Sequence, residues 1–272
     1  MAFSNRCGLS QYMEAARRGW RIFGGFVIMS LLFFPGTIIE AAGDQVPTQR
    51  REIAASFHSA PDQKVKVAFF DADSTLRVAP SGSVSANSAT DVAILPLVAP
   101  KLAELGKQGF LIAVVSNQLG VAKGYITLET ADGGLKTMIA HLASSGATIH
   151  YYDFAEAEDA DRKPEPGMAS RLEALVQTKF GVTVDWEKSF MVGDSAWKKG
   201  TDLEPDGQPG SDFSNTDRLF AESVAKLHPG FTFQHPRDFF GWKKFSVTNF
   251  EKFDKLQQFL ESHPELSPKD GR

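Results

Sequence analysis

Cysteine and net positive charge are the two things that this 272-residue sequence has least of. Its single cysteine, Cys7, lies near the N-terminus. The rest of the chain can therefore form neither a disulfide nor a thiolate metal site. The formal net charge of −4 gives the chain no general attraction for nucleic acid or for an anionic membrane. A polyanionic partner would have to meet a local basic patch or a bound metal ion.

What is present is enough apolar material for a folded core. Hydrophobic residues make up 42% of the chain and charged residues 23%, which is typical of a globular protein. The length favours one domain of ordinary size with appendages. No internal repeat is visible.

Residues 1–43 have the pattern of a targeting segment. A basic lead-in precedes a largely apolar stretch over residues 22–39, and the small residues Ala41 and Gly43 follow it. We predict a signal that exports the protein to the periplasm or the medium, with cleavage before Asp44. Two alternatives stay open. The stretch just reaches the length of a membrane-spanning anchor, and it is also compatible with a buried N-terminal helix.

The remaining sequence predicts a short linker and then an α/β domain. Residues 44–62 are polar and contain two prolines, so we expect a linker without a face toward a core. In residues 63–262 strand and helix patterns alternate, and a polar tail follows over 263–272. The predicted strands are Val65–Phe70, Phe110–Val115, Thr148–Phe154, Phe190–Val192 and Phe231–Phe233. The predicted helices are Pro100–Gln108, Leu128–Ala143, Gly167–Gln177, Asp217–Lys226 and Asn249–Ser262. This alternation implies parallel strands joined by right-handed crossovers, hence a doubly wound parallel sheet in a three-layer domain.

Two carboxylates stand where the first predicted strand ends. The apolar run Val67–Phe70 is followed by Asp71 and Asp73. Both can reach the space beyond the carboxyl end of the strand, where open α/β sheets bind ligands. Because like charges at close range repel, such a pair usually needs a cation or a shared proton. The alternative is an ordinary turn in which the two side chains cap backbone amides.

Three later segments carry further candidate site residues, and two of them also follow predicted strands. Ser116-Asn117-Gln118 follows the second strand and can donate hydrogen bonds to a ligand. Lys163 precedes Pro164, which restricts the lysine and suits it to act as a fixed counter-charge to phosphate or carboxylate. Gly193-Asp194 follows the fourth strand. Asp71 and Asp194, with a backbone carbonyl from Asp73, form the small oxygen ligand set that Mg²⁺ prefers.

In this order the four segments resemble the motifs of the haloacid dehalogenase superfamily of phosphatases. The resemblance implies a Rossmann-like fold without a large cap domain and a Mg²⁺-dependent phosphomonoesterase that forms a phosphoaspartate. By this resemblance Asp71 is the nucleophile and Asp73 the general acid and base. Ser116 and Lys163 bind the transferring phosphoryl group, and the metal ligands are Asp71, Asp73 and Asp194.

Residues 117–124, 212–222 and 233–240 look like the polynucleotide kinase 3′-phosphatase group within that superfamily. This resemblance implies removal of 3′-phosphates from nucleic-acid ends or nucleotides by a protein that we expect to be a monomer. It also implies that Asp217, together with Asp212, belongs to the acidic fourth motif. We expect these two acids to lie behind the metal ligands, without binding the metal themselves. The candidate substrate-binding residues are Thr75, Arg77, Asn117, Lys123 and Arg218.

Three features leave other substrates open. The sequence has no Gly-x-x-x-x-Gly-Lys-Ser/Thr loop, so no kinase domain is predicted. The chain is acidic, and export would separate it from chromosomal DNA. A phosphatase for a small metabolite, of the sugar phosphate or histidinol phosphate type, is therefore the alternative. A non-enzymatic binding protein on the same fold is a further one.

Overall fold

The computed structural model describes residue 47 and residues 49–60 and 63–267. The predicted targeting segment lies outside these residues. Within the described ranges no helix is long and apolar enough to cross a membrane.

The centre of the domain is a sheet of five parallel strands. Their order is β5-β4-β1-β6-β7, and each strand pairs in parallel with its neighbours. The bounds are β1 Val67–Phe70, β4 Leu111–Asn117, β5 Tyr151–Ala155, β6 Phe190–Val192 and β7 Thr232–Gln234. The central strand β1 is buried throughout, as expected for a strand covered on both faces. The predicted doubly wound α/β fold is confirmed.

Helices cover both faces of the sheet and make the three layers. Alternate residues of β1 point to opposite faces, so Phe70 packs with the core on one side and Phe69 with the core on the other. The first core receives α1 Val98–Lys107, α2 Leu128–Ser144 and α6 Phe253–Ser262. The second receives α3 Gly167–Phe180 and α4 Thr216–Leu227. A four-residue helix, α5 Pro236–Phe239, follows β7.

The path of the chain through the sheet positions the site. From β1 the chain moves outward to β4 and β5, then returns to the opposite side of β1 to form β6 and β7. The strand order therefore reverses between β1 and β6, and ligands of doubly wound sheets bind at such a point beyond the carboxyl ends. In the described chain, the connection from β1 to β4 adds only a hairpin, β2 Arg77–Val78 and β3 Ala93–Ile94, to helix α1. No large cap domain is inserted there, as predicted.

The described part of the predicted linker does have a face toward the core, and this corrects our expectation. Ile53 and Phe57 are buried in the second core. The backbone of this segment also donates hydrogen bonds from Arg51 to Tyr152 and from Ala54 to His150. The reason is that two apolar residues four positions apart suffice to dock a short polar segment beside an edge strand.

Candidate active site

Asp71 lies at the carboxyl end of the central strand, where the sequence placed it. Its backbone N–H still donates to the carbonyl of Val192 on β6, at 2.9 Å, so the residue is fixed between the two strands at the reversal point. The side chain then leaves the sheet, and only 11% of it is exposed. Asp71 thus presents a nearly buried carboxylate to the crevice.

Lys163 lies between two carboxylates. Its ammonium donates to Oδ1 of Asp71 at 2.6 Å and is also 2.6 Å from Oδ1 of Asp217, and only 1% of the side chain is exposed. The amide of Asn117 accepts from the backbone N–H of Lys163 and donates to its carbonyl, each at 3.0 Å. This pair of bonds fixes the backbone of the lysine. Asn117, predicted to bind substrate, is therefore engaged in positioning Lys163.

Three carboxylates meet beside this lysine. Oxygens of Asp71, Asp194 and Asp217 all lie within 4.8 Å of one another. Asp217 stands in the first turn of α4 and accepts a hydrogen bond from the backbone of Ser195 at 3.0 Å. A Cβ added to Gly193 would lie 2.3 Å from Oδ2 of Asp217. Glycine is required there because the Asp217 carboxyl fills the space that any side chain would need.

The cluster carries more negative charge than its lysine can neutralise. Burial, opposed by Lys163 and reinforced by Asp217, raises the pKa of Asp71 to about 7. Burial, together with the charges of Asp71 and Asp217, also raises the pKa of Asp194 well above its ordinary value. Burial alone would lower the pKa of Lys163, but Asp217 and Asp71 outweigh it and raise that pKa. For the two carboxyl groups, burial makes the largest contribution to the raised pKa and the neighbouring negative charges add to it.

The residues fit a hard divalent cation. Three carboxylates against one ammonium leave a net negative site, and the oxygens are close enough to share one ion. Mg²⁺ is held by one or two protein carboxylates, waters and substrate phosphate oxygens, and this donor set provides the protein's share. Asp73 contributes no carboxylate to the cluster, so its predicted contact with the metal would have to come from its backbone carbonyl.

Asp73 is instead held by two donors. Nε of Arg77 donates to its Oδ1 at 2.9 Å and Nε2 of Gln118 donates to its Oδ2 at 2.8 Å. The same Gln118 nitrogen lies 3.0 Å from Oγ of Ser116, and this links Asp73 to the residue predicted to contact the phosphoryl group. Both oxygens of Asp73 are thereby oriented while 14% of its side chain stays exposed. Gln118 belongs to the second motif, but nothing in the sequence indicated that its side chain bonds to Asp73.

The other predicted substrate-binding residues occupy different positions. Thr75 is buried, and its hydroxyl accepts from the backbone N–H of Asp194 at 3.1 Å. Arg77 is also buried, so it cannot reach a substrate backbone, and this corrects the prediction. Arg218 is engaged with Asp202, Glu222 and a backbone carbonyl. Lys123 is exposed on the loop after β4.

Of the two acids predicted to lie behind the metal ligands, only Asp217 joins the carboxylate cluster. Asp212 accepts hydrogen bonds from the backbone N–H groups of Ala196 and Trp197, at 3.1 and 2.7 Å, and its Oδ1 is 3.6 Å from Nε2 of His235. It therefore fixes the base of the excursion over residues 197–211. Asp217 is more central than predicted because its carboxylate contacts Lys163 directly, at 2.6 Å.

Comparison with known proteins finds similarity to phosphatases. The family model "Polynucleotide kinase 3 phosphatase" matches residues 66–240, more than half of the chain. A bifunctional polynucleotide phosphatase/kinase of Schizosaccharomyces pombe is 30% identical over 199 residues, which cover 72% of this chain and 43% of that protein. A D-glycero-beta-D-manno-heptose-1,7-bisphosphate 7-phosphatase of Pseudomonas putida is 32% identical over 112 residues, which cover 40% of this chain and 61% of that protein.

Among solved structures, a putative HAD-like phosphatase of Mesorhizobium loti aligns with a TM-score of 0.47 and 17% identity, over 68% of this chain and 88% of that one. The chain spans less than two thirds of the length of each of the two relatives that it matches by sequence. With four motifs at the edge of one doubly wound sheet and the family match over residues 66–240, the chain belongs to the polynucleotide kinase 3 phosphatase family.

Proposed function

We propose that this protein is a Mg²⁺-dependent phosphomonoesterase that removes 3′-phosphates from nucleic-acid ends or nucleotides through a phosphoaspartate at Asp71. The observation that carries the proposal is the arrangement of Asp71, Asp194 and Asp217 beside the buried Lys163. The family match supports the reaction class, and the fission-yeast relative is named as a polynucleotide phosphatase.

In the first step a carboxylate oxygen of Asp71 attacks phosphorus. The bond between phosphorus and the leaving oxygen breaks, and that oxygen takes a proton from Asp73. The Lys163 ammonium, 2.6 Å from Asp71, offsets negative charge on the phosphoryl oxygens. Phosphoryl transfer depends mainly on such positioning and charge neutralisation.

In the second step a water oxygen attacks the phosphoryl group on Asp71. Asp73, now a carboxylate, takes the proton of that water, and the bond from phosphorus to Asp71 breaks to release inorganic phosphate. Splitting the hydrolysis in this way is what a nucleophilic carboxylate provides. Arg77 and Gln118 hold the two oxygens of Asp73 in place through both proton transfers.

A bound Mg²⁺ would supply further charge neutralisation on the phosphoryl oxygens. Asp71, Asp194 and Asp217 are the residues that would surround it. Thr75 contributes by orienting Asp194.

A small sugar phosphate is the second candidate substrate. The observation in its favour is the similarity to heptose bisphosphate phosphatases, which is as strong in identity as the similarity to the polynucleotide enzyme. The alignments with heptose bisphosphate phosphatases cover between 40% and 62% of this chain, whereas the alignment with the polynucleotide enzyme covers 72%. The longer alignment favours the nucleic-acid substrate.

The test is a substrate panel with purified protein and Mg²⁺. The panel compares an oligonucleotide bearing a 3′-phosphate, a 3′-nucleotide and several sugar phosphates, with Asp71→Asn as the inactive control. We expect the oligonucleotide or nucleotide to have the highest kcat/KM. Turnover of a sugar phosphate with no release of phosphate from the oligonucleotide would assign the protein to the second candidate.

A further inference from the structure

Exposed apolar side chains are concentrated at the edge of the sheet that holds the site. In the described part of the chain, the large hydrophobic side chains that remain exposed are Val84, Tyr125, Leu128, Leu203, Phe213 and Leu227. Five of them precede or begin a helix on the connections that leave the carboxyl ends of β1, β4 and β6, whereas Leu227 is the last residue of α4. These strands are neighbours in the sheet, with β1 in the middle. We call these five side chains the apolar rim; apolar surface beside a reaction centre is available for contact with a substrate.

Two members of the rim are aromatic and almost fully exposed. Tyr125 is 79% exposed on the loop after β4, and Phe213 is 83% exposed in the connection from β6 to α4, just after the excursion over residues 197–211. Both are tied to the reaction centre by short stretches of chain. Tyr125 follows Gln118, which holds Asp73, and Phe213 shortly precedes Asp217, which contacts Lys163. The two rings thus stand on the loops that flank the strand of Asp71.

Exposed lysines accompany the rings. Lys123 lies on the loop of Tyr125, and Lys198 and Lys199 lie on the excursion that precedes Phe213; all three are exposed. In the described structure none of their ammonium groups forms an ion pair with a carboxylate. A flat ring beside a free cation suits a nucleobase and its phosphate, because stacking uses the ring face and the lysine offsets the backbone charge.

We propose that Tyr125 and Phe213 are stacking platforms for the bases next to the 3′-phosphate, with Lys123 beside them contacting the phosphodiester backbone. This inference rests on the proposed function and sharpens it: the substrate is an oligonucleotide whose end is single-stranded, since paired bases would not offer their faces. Two rings on opposite sides of the Asp71 strand would guide the terminal phosphate toward the nucleophile.

The test compares two substrates on the purified protein. One is a single-stranded oligonucleotide with a 3′-phosphate, and the other is p-nitrophenyl phosphate, which has no base. The quantity measured is the selectivity, the ratio of kcat/KM for the oligonucleotide to that for p-nitrophenyl phosphate. Tyr125→Ala and Phe213→Ala should each lower the selectivity roughly 5- to 100-fold, mainly through KM, as expected for loss of one stacked base. Tyr125→Phe should retain it.

Two controls separate stacking from general damage. Leu227→Ala removes a similarly exposed side chain, 58% exposed, from the far end of α4 and should leave the selectivity unchanged. Leu227 is roughly 15 Å along the helix from Asp217, at the rise of an α-helix. An oligonucleotide with abasic sites at the terminal positions should be a poorer substrate of the unchanged protein, and Tyr125→Ala should cause little further loss on it.

The outcomes distinguish the two proposals. If the unchanged protein hydrolyses neither substrate, the proposed function fails. If it hydrolyses both and the two alanine variants keep full selectivity, the phosphatase stands and the stacking platforms are refuted; the rim would then be a surface for a protein partner. If the alanine variants lose as much activity on the abasic oligonucleotide as on the intact one, stacking is also refuted, because the contribution of the rings would then not depend on the bases.

Discussion

Replacing Lys163 by methionine should destabilise the metal-free protein strongly, and more so as pH rises. The substitution removes a side chain that is 1% exposed and that forms two ion pairs of 2.6 Å. At an effective dielectric constant of about 20, each pair is worth roughly 6 kcal/mol before the cost of desolvation. Desolvation cancels much of this, and removal of one partner of a buried ion pair costs about 3–5 kcal/mol. That is a large part of the roughly 5–15 kcal/mol by which a domain is stable.

The pH dependence arises from the carboxylates left behind. The pKa of Asp71 is already raised to about 7 by burial, and loss of the ammonium raises it further. A carboxyl group whose pKa is higher in the folded state than in the unfolded state contributes stability at low pH. That contribution is lost as pH rises through the interval between the two values. The deficit of Lys163→Met should therefore be smaller near pH 5 than near pH 8.

Urea unfolding in a chelator, at both pH values, measures this deficit. Lys188→Met is the matched control, since Lys188 forms one exposed ion pair, with Asp185 at 3.0 Å, and should cost less than about 1 kcal/mol. The reasoning is refuted if Lys163→Met is as stable as the Lys188 variant. A deficit of the same size at both pH values would refute the pH argument alone.

Three further predictions concern charge and space. His150 is buried, and burial lowers its pKa from 6.5 to about 4; its Nδ1 accepts from the Ile112 N–H at 3.0 Å. As pH drops, the unfolded state binds a proton on His150 before the folded state does. The free energy of unfolding should therefore fall by about 3 kcal/mol between pH 6.5 and 4. Urea titrations at several acid pH values should show a smaller fall for His150→Asn. Gly193→Ala should push aside the Asp217 carboxyl and lower kcat/KM on the order of 10²-fold in a phosphate-release assay. Mg²⁺ at about 100 times its Kd should stabilise the protein by roughly 2.7 kcal/mol, and Asp194→Asn should abolish most of the rise in thermal midpoint.

Each of these has a result that would contradict it. If His150→Asn loses as much stability in acid as the unchanged protein, the group responsible for the pH dependence is not His150. Gly106→Ala is the control for the glycine substitution, because a Cβ there meets nothing within 4 Å; equal loss in both variants would show a general effect. A full Mg²⁺ effect in the Asp194 variant would remove that residue from the metal site.

The sheet and its helices were predictable because the residues at the ends of the strands and helices mark those ends clearly in the sequence. The strand that ends at Phe70 is an apolar run stopped by Asp71, and the helix from Leu128 was predicted with its first residue correct. The last helix begins at Phe253 rather than at Asn249 because the amide of Asn249 bonds with Glu251 and Lys255 instead. The β2–β3 hairpin was missed, since strands of two residues carry no periodic pattern.

In the site, the side chains next to strand ends were predictable, whereas contacts made by loops that return to the sheet were not. Asp71 and Lys163 were expected to lie in one crevice, and they do. Arg77 was expected to reach a substrate but is buried against Asp73, and Asp217 was expected behind the metal ligands but contacts Lys163. Both positions depend on contacts that form only after the loops fold. An arginine four residues after an acid on a short turn gives no sign of which way it faces.

The central claim is that Asp71 carries the phosphoryl group, and Asp73→Asn reacted with p-nitrophenyl phosphate tests it most directly. The p-nitrophenolate leaving group needs no proton, so the first step should proceed, while the second step lacks its base. We predict a burst of one p-nitrophenolate per protein and, by mass spectrometry of the quenched sample, a phosphoryl group on the peptide that contains Asp71. A phosphoryl group on another residue, or phosphatase activity that survives in Asp71→Asn, would contradict the account.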